Sequence, residues 1–355
     1  MNKRWICGDV WMDILPSFDH AQLGLKMALL SDRFDVLVDA HFDGKSELTI
    51  WRIIRIEKDK GPKPKMSIRI GDNDNFVDFP LPDRPLPDKI RFRDLRIDYI
   101  DHSVITFLRS NKPIWDRKGT NLKLWLYKTE DEQRIWDVLA SEIWPIFVTS
   151  IRHLGFPGAV HLDNLRRNTS PTILTDLDQL SAINSGDLLP DGIADDGPNA
   201  TAGQALSKWL HTPRKNGQPK RLYRNGYLGP RDLEWVNNFK ETFRRATTSV
   251  SYHIQLYFCV TKMPTEQFEL VNERTNEKLT LKQKIEASFD EIVYNYLLQR
   301  CPIGETVTAP VKFDLRYDNN LGANANLNNI SFSLWTFNKS IGPLSPPADE
   351  ENEEG

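Results

Sequence analysis

The sequence predicts an α/β protein in consecutive parts: a short helical module, a β/α domain in which strands and helices alternate, and a mainly β C-terminal section. Three observations predict it. From Trp5 to Phe42 the apolar residues follow helical spacing rather than alternation. From Asp88 to about residue 262, alternating runs and amphipathic faces take turns. Beyond that the helical faces give way to alternating runs separated by turn residues.

The helical module occupies residues 1–43. Val10, Ile14 and Leu15, then Phe34, Leu37 and Val38, carry the three-and-four spacing of helix faces. Pro16 lacks a backbone donor and disfavours helix before it, so a first helix from about Asp9 stops near Leu15. Leu23, Leu25, Met27, Leu29 and Leu30 make a second helix apolar almost all round, and Ser31 is placed to cap a third. Three helices this short bury little by themselves, so their surplus apolar surface belongs to the rest of the chain or to another protein.

The order Ile6-x-x-Asp9-Val10, Ile14-Leu15, Phe18, Leu23 and Leu30-Ser31-Asp32-Arg33-Phe34 with Leu37-Val38 resembles the F-box, the docking module of cullin-RING ubiquitin ligases. The phrase through Phe42 also resembles expanded nematode F-box families with a long, poorly described second half. Ile6-Cys7 stands where Leu-Pro is usual, and Asp32-Arg33 where two basic residues are usual. The resemblance implies that Ile6, Cys7, Val10, Ile14, Leu15, Leu23, Ser31 and Phe34 form the face that packs into a Skp-type adaptor, and through it joins a cullin. It implies no cofactor, metal or catalytic residue on this chain. The plain alternative is a helical cap on one end of an α/β domain.

Residues 44–87 form a strand pair and a connector. Leu48 to Ile56 alternates like a strand, Met66 to Ile70 suits a second, and Lys58, Lys60, Lys63 and Lys65 interleave with Gly and Pro at a solvated hairpin tip. Phe79 to Pro87 is too rich in proline for a central strand or a helix and reads as extended.

Residues 88–262 form the β/α domain. Strands are expected at Ile90–Ile100, Leu122–Leu126, Ile151–Phe156, near Ile183, at Arg221–Tyr227 and at Ser251–Val260. Helices are expected after Asp101, after a Thr129/Glu132 capping box with Pro145 bending or ending the last turn, after Ser170-Pro171, from Thr201 to before Pro213, and after Gly229-Pro230. The units recur at about 29 to 39 residues, overlapping the periods of leucine-rich and related repeats. Leu174, Leu177, Leu180 and Ile183-Asn184 look most like a leucine-rich repeat, while the other units lack its asparagine ladder. The expectation is a degenerate leucine-rich-repeat-like β/α domain with a largely parallel sheet, a doubly wound sheet being the alternative.

Residues 263–339 are mixed and mainly β. They hold a hairpin of Phe268–Asn272 and Lys278–Leu281 around Asn276, an ambiguous run with Ile292, Tyr294, Tyr296 and Leu298, and a terminal strand from Ile330 to Phe337. Residues 340–355 are proline-rich and acidic, and are expected to be disordered.

Composition narrows the function. Of 355 residues, 39% are hydrophobic and 27% charged, with a net charge of −3, which does not suggest a nucleic-acid binder. No apolar run reaches the roughly 20 residues of a membrane span, and Asp9 and Asp13 interrupt where a signal peptide would be apolar, so a cytosolic or nuclear protein is expected. Cys7, Cys259 and Cys301 are odd in number and far apart, as reduced thiols would be; the sequons at Asn168, Asn199, Asn329 and Asn338 carry no weight without a signal.

No phosphate loop, dinucleotide fingerprint, nucleophile elbow or metal-binding histidine pair is present. Asp195-Asp196 lies in a Gly/Pro/Asn-rich loop, the basic run Arg214–Arg221 in a helix-to-strand loop, and Arg244-Arg245 at a helix end where cations complement the macrodipole. The sequence thus predicts a non-enzymatic substrate-recognition subunit of a Skp-cullin-F-box type ubiquitin ligase, its C-terminal domain holding the target. An interaction scaffold with no ubiquitin role is the alternative. An enzyme would instead place a pocket at the carboxyl ends of the strands.

Overall fold

A computed structural model of the chain describes residues 6–18, 23–43, 50–57, 63–69, 76–86, 91–97, 99–115, 121–126, 132–149, 151–156, 158–225, 230–259, 266–288, 291–304 and 331–336. The chain divides into two compact units. One comprises residues 1–150, 327–330 and 335–355, the other residues 151–326 and 331–334.

In the first unit, α1 (Gly8–Ile14) runs into a 3-10 turn, Leu15–Ser17, where Pro16 ends the regular helix. The regular second helix is replaced by a π turn, Leu23–Met27, and a 3-10 turn, Ala28–Leu30. A segment this short gains little from its own hydrogen-bond ladder, so packing sets its geometry. Ser31 caps α2 (Asp32–Asp43), its Oγ accepting from the Phe34 N–H at 3.4 Å. Trp11 meets Phe34 edge to face, with ring centroids 4.8 Å apart, and fixes α1 on α2. Leu15, Leu23, Ala28, Val38 and Phe42 close a core of their own beneath that contact.

Next come β1 (Ile50–Glu57), β2 (Lys65–Arg69) and β3 (Phe76–Pro80), an antiparallel set in which, among the described residues, β3 pairs with β2 alone, an arrangement that tolerates Pro80. β4 (Arg91–Ile97) is parallel to β1, and β5 (Asn121–Leu126) is parallel to β4. Ile54 and Ile56 stand in register with Ile68 and Met66 on one side and Leu95 and Ile97 on the other, so all six share one buried apolar face. The opposite face of the hairpin is polar: Ser67 Oγ and Lys65 Nζ both donate to Asp78, each at 2.7 Å.

α3 (His102–Ser110) starts where expected, the Asp101 carboxylate accepting from the Val104 N–H at 3.0 Å. α4 (Lys112–Trp115) follows, then α5 (Glu132–Val138), a π turn at Leu139–Ile143, and α6 (Trp144–Phe147) with Pro145 in its first turn. The proline therefore opens a new short helix behind a widened turn.

In the second unit, β6 (His153–Gly155), β7 (Ala182–Asn184), β8 (Lys220–Asn225) and β9 (Tyr252–Cys259) are parallel neighbours. The connections carry α7 (Ala159–Asn168), α8 (Ile173–Asp176), α9 (Ala202–His211) and α10 (Pro230–Arg245). Beyond β9 the sheet continues antiparallel through β12 (Glu291–Pro302), β11 (Glu277–Ser288) and β10 (Phe268–Asn272), which settles the ambiguous run at Ile292 as strand. β13 (Ser331–Thr336) lies parallel to β6 through Ser331–Ser333. Leu154, Ile183, Leu222, Ile254 and Leu298 form one registered, buried row across five strands. On the same face, Lys220 lies over the Trp209 ring of α9 and Arg300 over the Phe243 ring of α10, so this is the side the helices cover.

α7 was not foreseen: its inward side is only Leu162, Leu165 and Arg166, too sparse a stripe to read. Ser170 binds the Thr172 N–H, but α8 starts after Thr172, two residues later than expected. The tip of the basic hairpin at 58–62, Thr129 of the capping box, the sequons at Asn329 and Asn338 and the tail 340–355 lie outside the described residues.

Candidate functional site

The expected adaptor-facing residues divide into outward and inward sets. Ile6 and Val10 are 45% and 47% exposed, large values for aliphatic side chains. Cys7 between them is exposed, its Sγ 3.7 Å from the Asp9 carboxylate. Ile14, one turn beyond Val10, is half-buried. Phe34 is half-buried against Trp11, and Ser31 is occupied as the cap of α2.

Leu15 and Leu23 are 0% exposed and belong to the module's core, so as placed they support the surface rather than form it. Spacing alone could not separate the two sets, because the mutual rotation of three short helices is fixed only when they pack. Leu30 and Val36 are exposed; Leu30 stood in the F-box-like pattern without being assigned to the adaptor face, and Val36, which interrupts the polar side of α2, was not singled out.

Both departures from the F-box pattern have internal partners. Arg33 Nη2 donates to the Ile6 carbonyl at 2.6 Å, tying the segment before α1 to α2. Asp32 pairs with Arg84 at 2.8 Å, and the Lys26 ammonium lies 5.4 Å from the centre of the Phe79 ring, so the helical module meets the β3 region through polar contacts.

The second unit concentrates cationic and imidazole groups. Burial, then Arg221 and Arg152, lower the His153 pKa to about 4; burial and Arg221 lower that of His253 to about 4. Burial, then Arg152 and Arg221, also lower Arg214. Lys220 is brought down to about 7 by burial and then Arg214, while its ammonium donates to the Trp209 carbonyl.

Other charged features close structure. Arg166 is buried and saturated by the carbonyls of Pro171, Gly197 and Ala200 at 2.6–2.9 Å. It lines a depression of about 230 Å³, smaller than the roughly 300 Å³ at which small-molecule sites begin. Asp195 accepts from the Gly197 N–H and Asp196 from the Thr175 hydroxyl, so the acidic pair shapes its loop. At the carboxyl end of β7, the Ser185 hydroxyl donates to Leu188 O at 2.7 Å and closes a turn. Among the described residues, no group of three His, Cys, Asp or Glu side chains is placed to hold a metal ion, and no helix is long and apolar enough to cross a membrane.

No protein-family model, curated protein or solved structure matches the chain.

Proposed function

We propose that this chain is the substrate-recognition subunit of a Skp-cullin-F-box type ubiquitin ligase. Its N-terminal helices dock on a Skp-type adaptor, and its C-terminal domain, a degenerate leucine-rich-repeat-like array, holds the target protein. The observation that carries the reading is the helical module, which closes a small core of its own yet leaves Ile6, Cys7 and Val10 exposed beside half-buried Ile14. Exposed aliphatic side chains beside a completed core gain free energy when a partner covers them. Leu15, Leu23, Ser31 and Phe34 hold that surface in place. The parallel run β6 to β9, with helical connections between successive strands, supports the repeat reading.

Co-purification of the full chain with a Skp-type adaptor tests the proposal, with the double variant Val10→Asp, Ile14→Asp as the comparison. Loss of adaptor binding in a variant that still melts cooperatively is the expected outcome. A folded wild-type chain that captures no adaptor would make the helices a structural cap and the protein an interaction scaffold without a ubiquitin role.

A further inference from the structure

The row next to the buried aliphatic one has a different chemistry. His153 stands opposite Ala182, Ala182 opposite Arg221, and Arg221 opposite His253. Registered residues share a face, and neighbouring strands lie about 4.8 Å apart. Arg221 therefore has one imidazole a strand away and another two strands away, with only the Ala182 methyl between. Tyr223, two residues along β8 on the same face, accepts a hydrogen bond from Arg221. Two more guanidinium groups arrive at the amino ends of these strands. Arg152 immediately precedes β6, and Arg214 lies in the turn between α9 and β8. Arg152 and Arg221 both act electrostatically on Arg214 and on His153, so the three guanidinium groups lie near one another.

Among the described residues, no carboxylate forms an ion pair with Arg152, Arg214 or Arg221. The acid at this edge, Asp178, is held by Lys215 at 2.8 and 3.0 Å. Two buried arginines of this unit are neutralised or saturated, Arg300 by Glu277 and Arg166 by three carbonyls. Unneutralised like charges oppose folding, and a planar guanidinium fork matches the oxygens of a tetrahedral anion.

We propose that Arg152, Arg214 and Arg221, with His153, His253 and Tyr223 on the floor, form a binding site for a phosphate-class oxyanion at the amino edge of the parallel strands. This site does not depend on the adaptor reading. Free inorganic phosphate and a phosphate ester on a larger molecule present the same oxygens to it.

Titration of the full-length chain with inorganic phosphate, at ionic strength held constant with sodium chloride, tests the site by calorimetry and by the rise in Tm. The expected result is saturable binding that weakens at least about tenfold in Arg214→Gln, Arg221→Gln, consistent with loss of charge-assisted bonds. Lys215→Gln, whose ammonium already has a carboxylate partner, should bind as the wild type does. Arg152→Gln, Arg214→Gln changes only groups outside the strands and serves if the first variant does not fold. Displacement of phosphate by O-phosphoserine at lower concentration would assign the site to esters; failure of O-phosphoserine to displace bound phosphate would assign it to the free anion. Absence of saturable binding by the folded chain over the millimolar range, or saturable binding that survives in the folded arginine variants, would overturn the proposal.

Discussion

At the scale of single residues, the pair Glu277–Arg300 has the largest predicted effect on stability. Both side chains are essentially without surface, at 0% and 1% exposure. Glu277 Oε2 accepts from Arg300 Nε and Nη2 at 3.0 and 2.6 Å, while Oε1 accepts from the Ser249 hydroxyl and the Val250 N–H at 2.9 and 2.8 Å. Arg300 also donates to the Thr248 carbonyl and lies over the Phe243 ring. Glu277→Gln keeps the shape but leaves a buried guanidinium without its counter-charge. It should cost about 3–5 kcal/mol in urea unfolding, whereas Glu277→Leu combined with Arg300→Met should cost less than Glu277→Gln alone. A double variant as damaging as the single one would mean that packing, not charge, dominates there. The sequence could not expose this pair: Glu277 follows Asn276, whose φ of 55° suits a turn, and so reads as part of an exposed hairpin tip. Only the antiparallel pairing of β11 with β12, and the folding back of residues 248–250, bring its partners to it.

At the scale of elements, legibility followed how local the signal is. Thr201 and Gln204 sit three apart and form a reciprocal cap on α9: the Gln204 N–H reaches Thr201 Oγ1 at 3.2 Å, and the Thr201 N–H reaches Gln204 Oε1 at 2.8 Å. Thr201→Ala should lower stability by about 1 kcal/mol, and Thr201→Ser should restore most of it, as read by the urea midpoint. Asp101 before α3 and Ser31 before α2 were legible for the same reason, each cap bonding a backbone N–H three residues ahead. The turns at Leu23–Leu30 were not legible. Leucines on every side call for cover, but they do not say which hydrogen-bond ladder survives packing, and Leu30 stays exposed. The candidate surface was half legible on the same grounds: spacing identified Val10, Ile14, Leu15 and Leu23 as apolar face positions, and tertiary packing then turned Leu15 and Leu23 inward.

At the scale of the whole molecule, the parallel order of β6 to β9 followed from alternation of strand and helix, but the return of β13 to the side of β6 did not, because pairing between distant segments leaves no periodic trace. The same assembly creates a pH dependence that the sequence pI of about 6.2 does not foretell. His153 and His253 titrate near 6.5 when unfolded and near 4 when folded, so between those values the unfolded chain binds more protons and these groups make stability rise with pH. Their contribution is complete above about pH 6.5 and is lost as the pH falls toward 4. Lys220 acts in the same direction higher up: its pKa is about 7 folded and 10.5 unfolded, so the cost of burying its charge disappears across that window. Tyr223 and Tyr252 act in the opposite sense. Burial raises both above the ordinary 10, so stability should fall once the unfolded phenols ionise above about pH 10. Urea midpoints at about pH 5, 7 and 9 should therefore rise in that order, with the maximum on the alkaline side of the pI rather than at it. Lys220→Met should flatten the rise between 7 and 9, and His153→Gln with His253→Gln should flatten the rise between 5 and 7. A wild-type midpoint that peaks near pH 6 and declines by pH 9 would show that these three bases are not held neutral in the folded sheet.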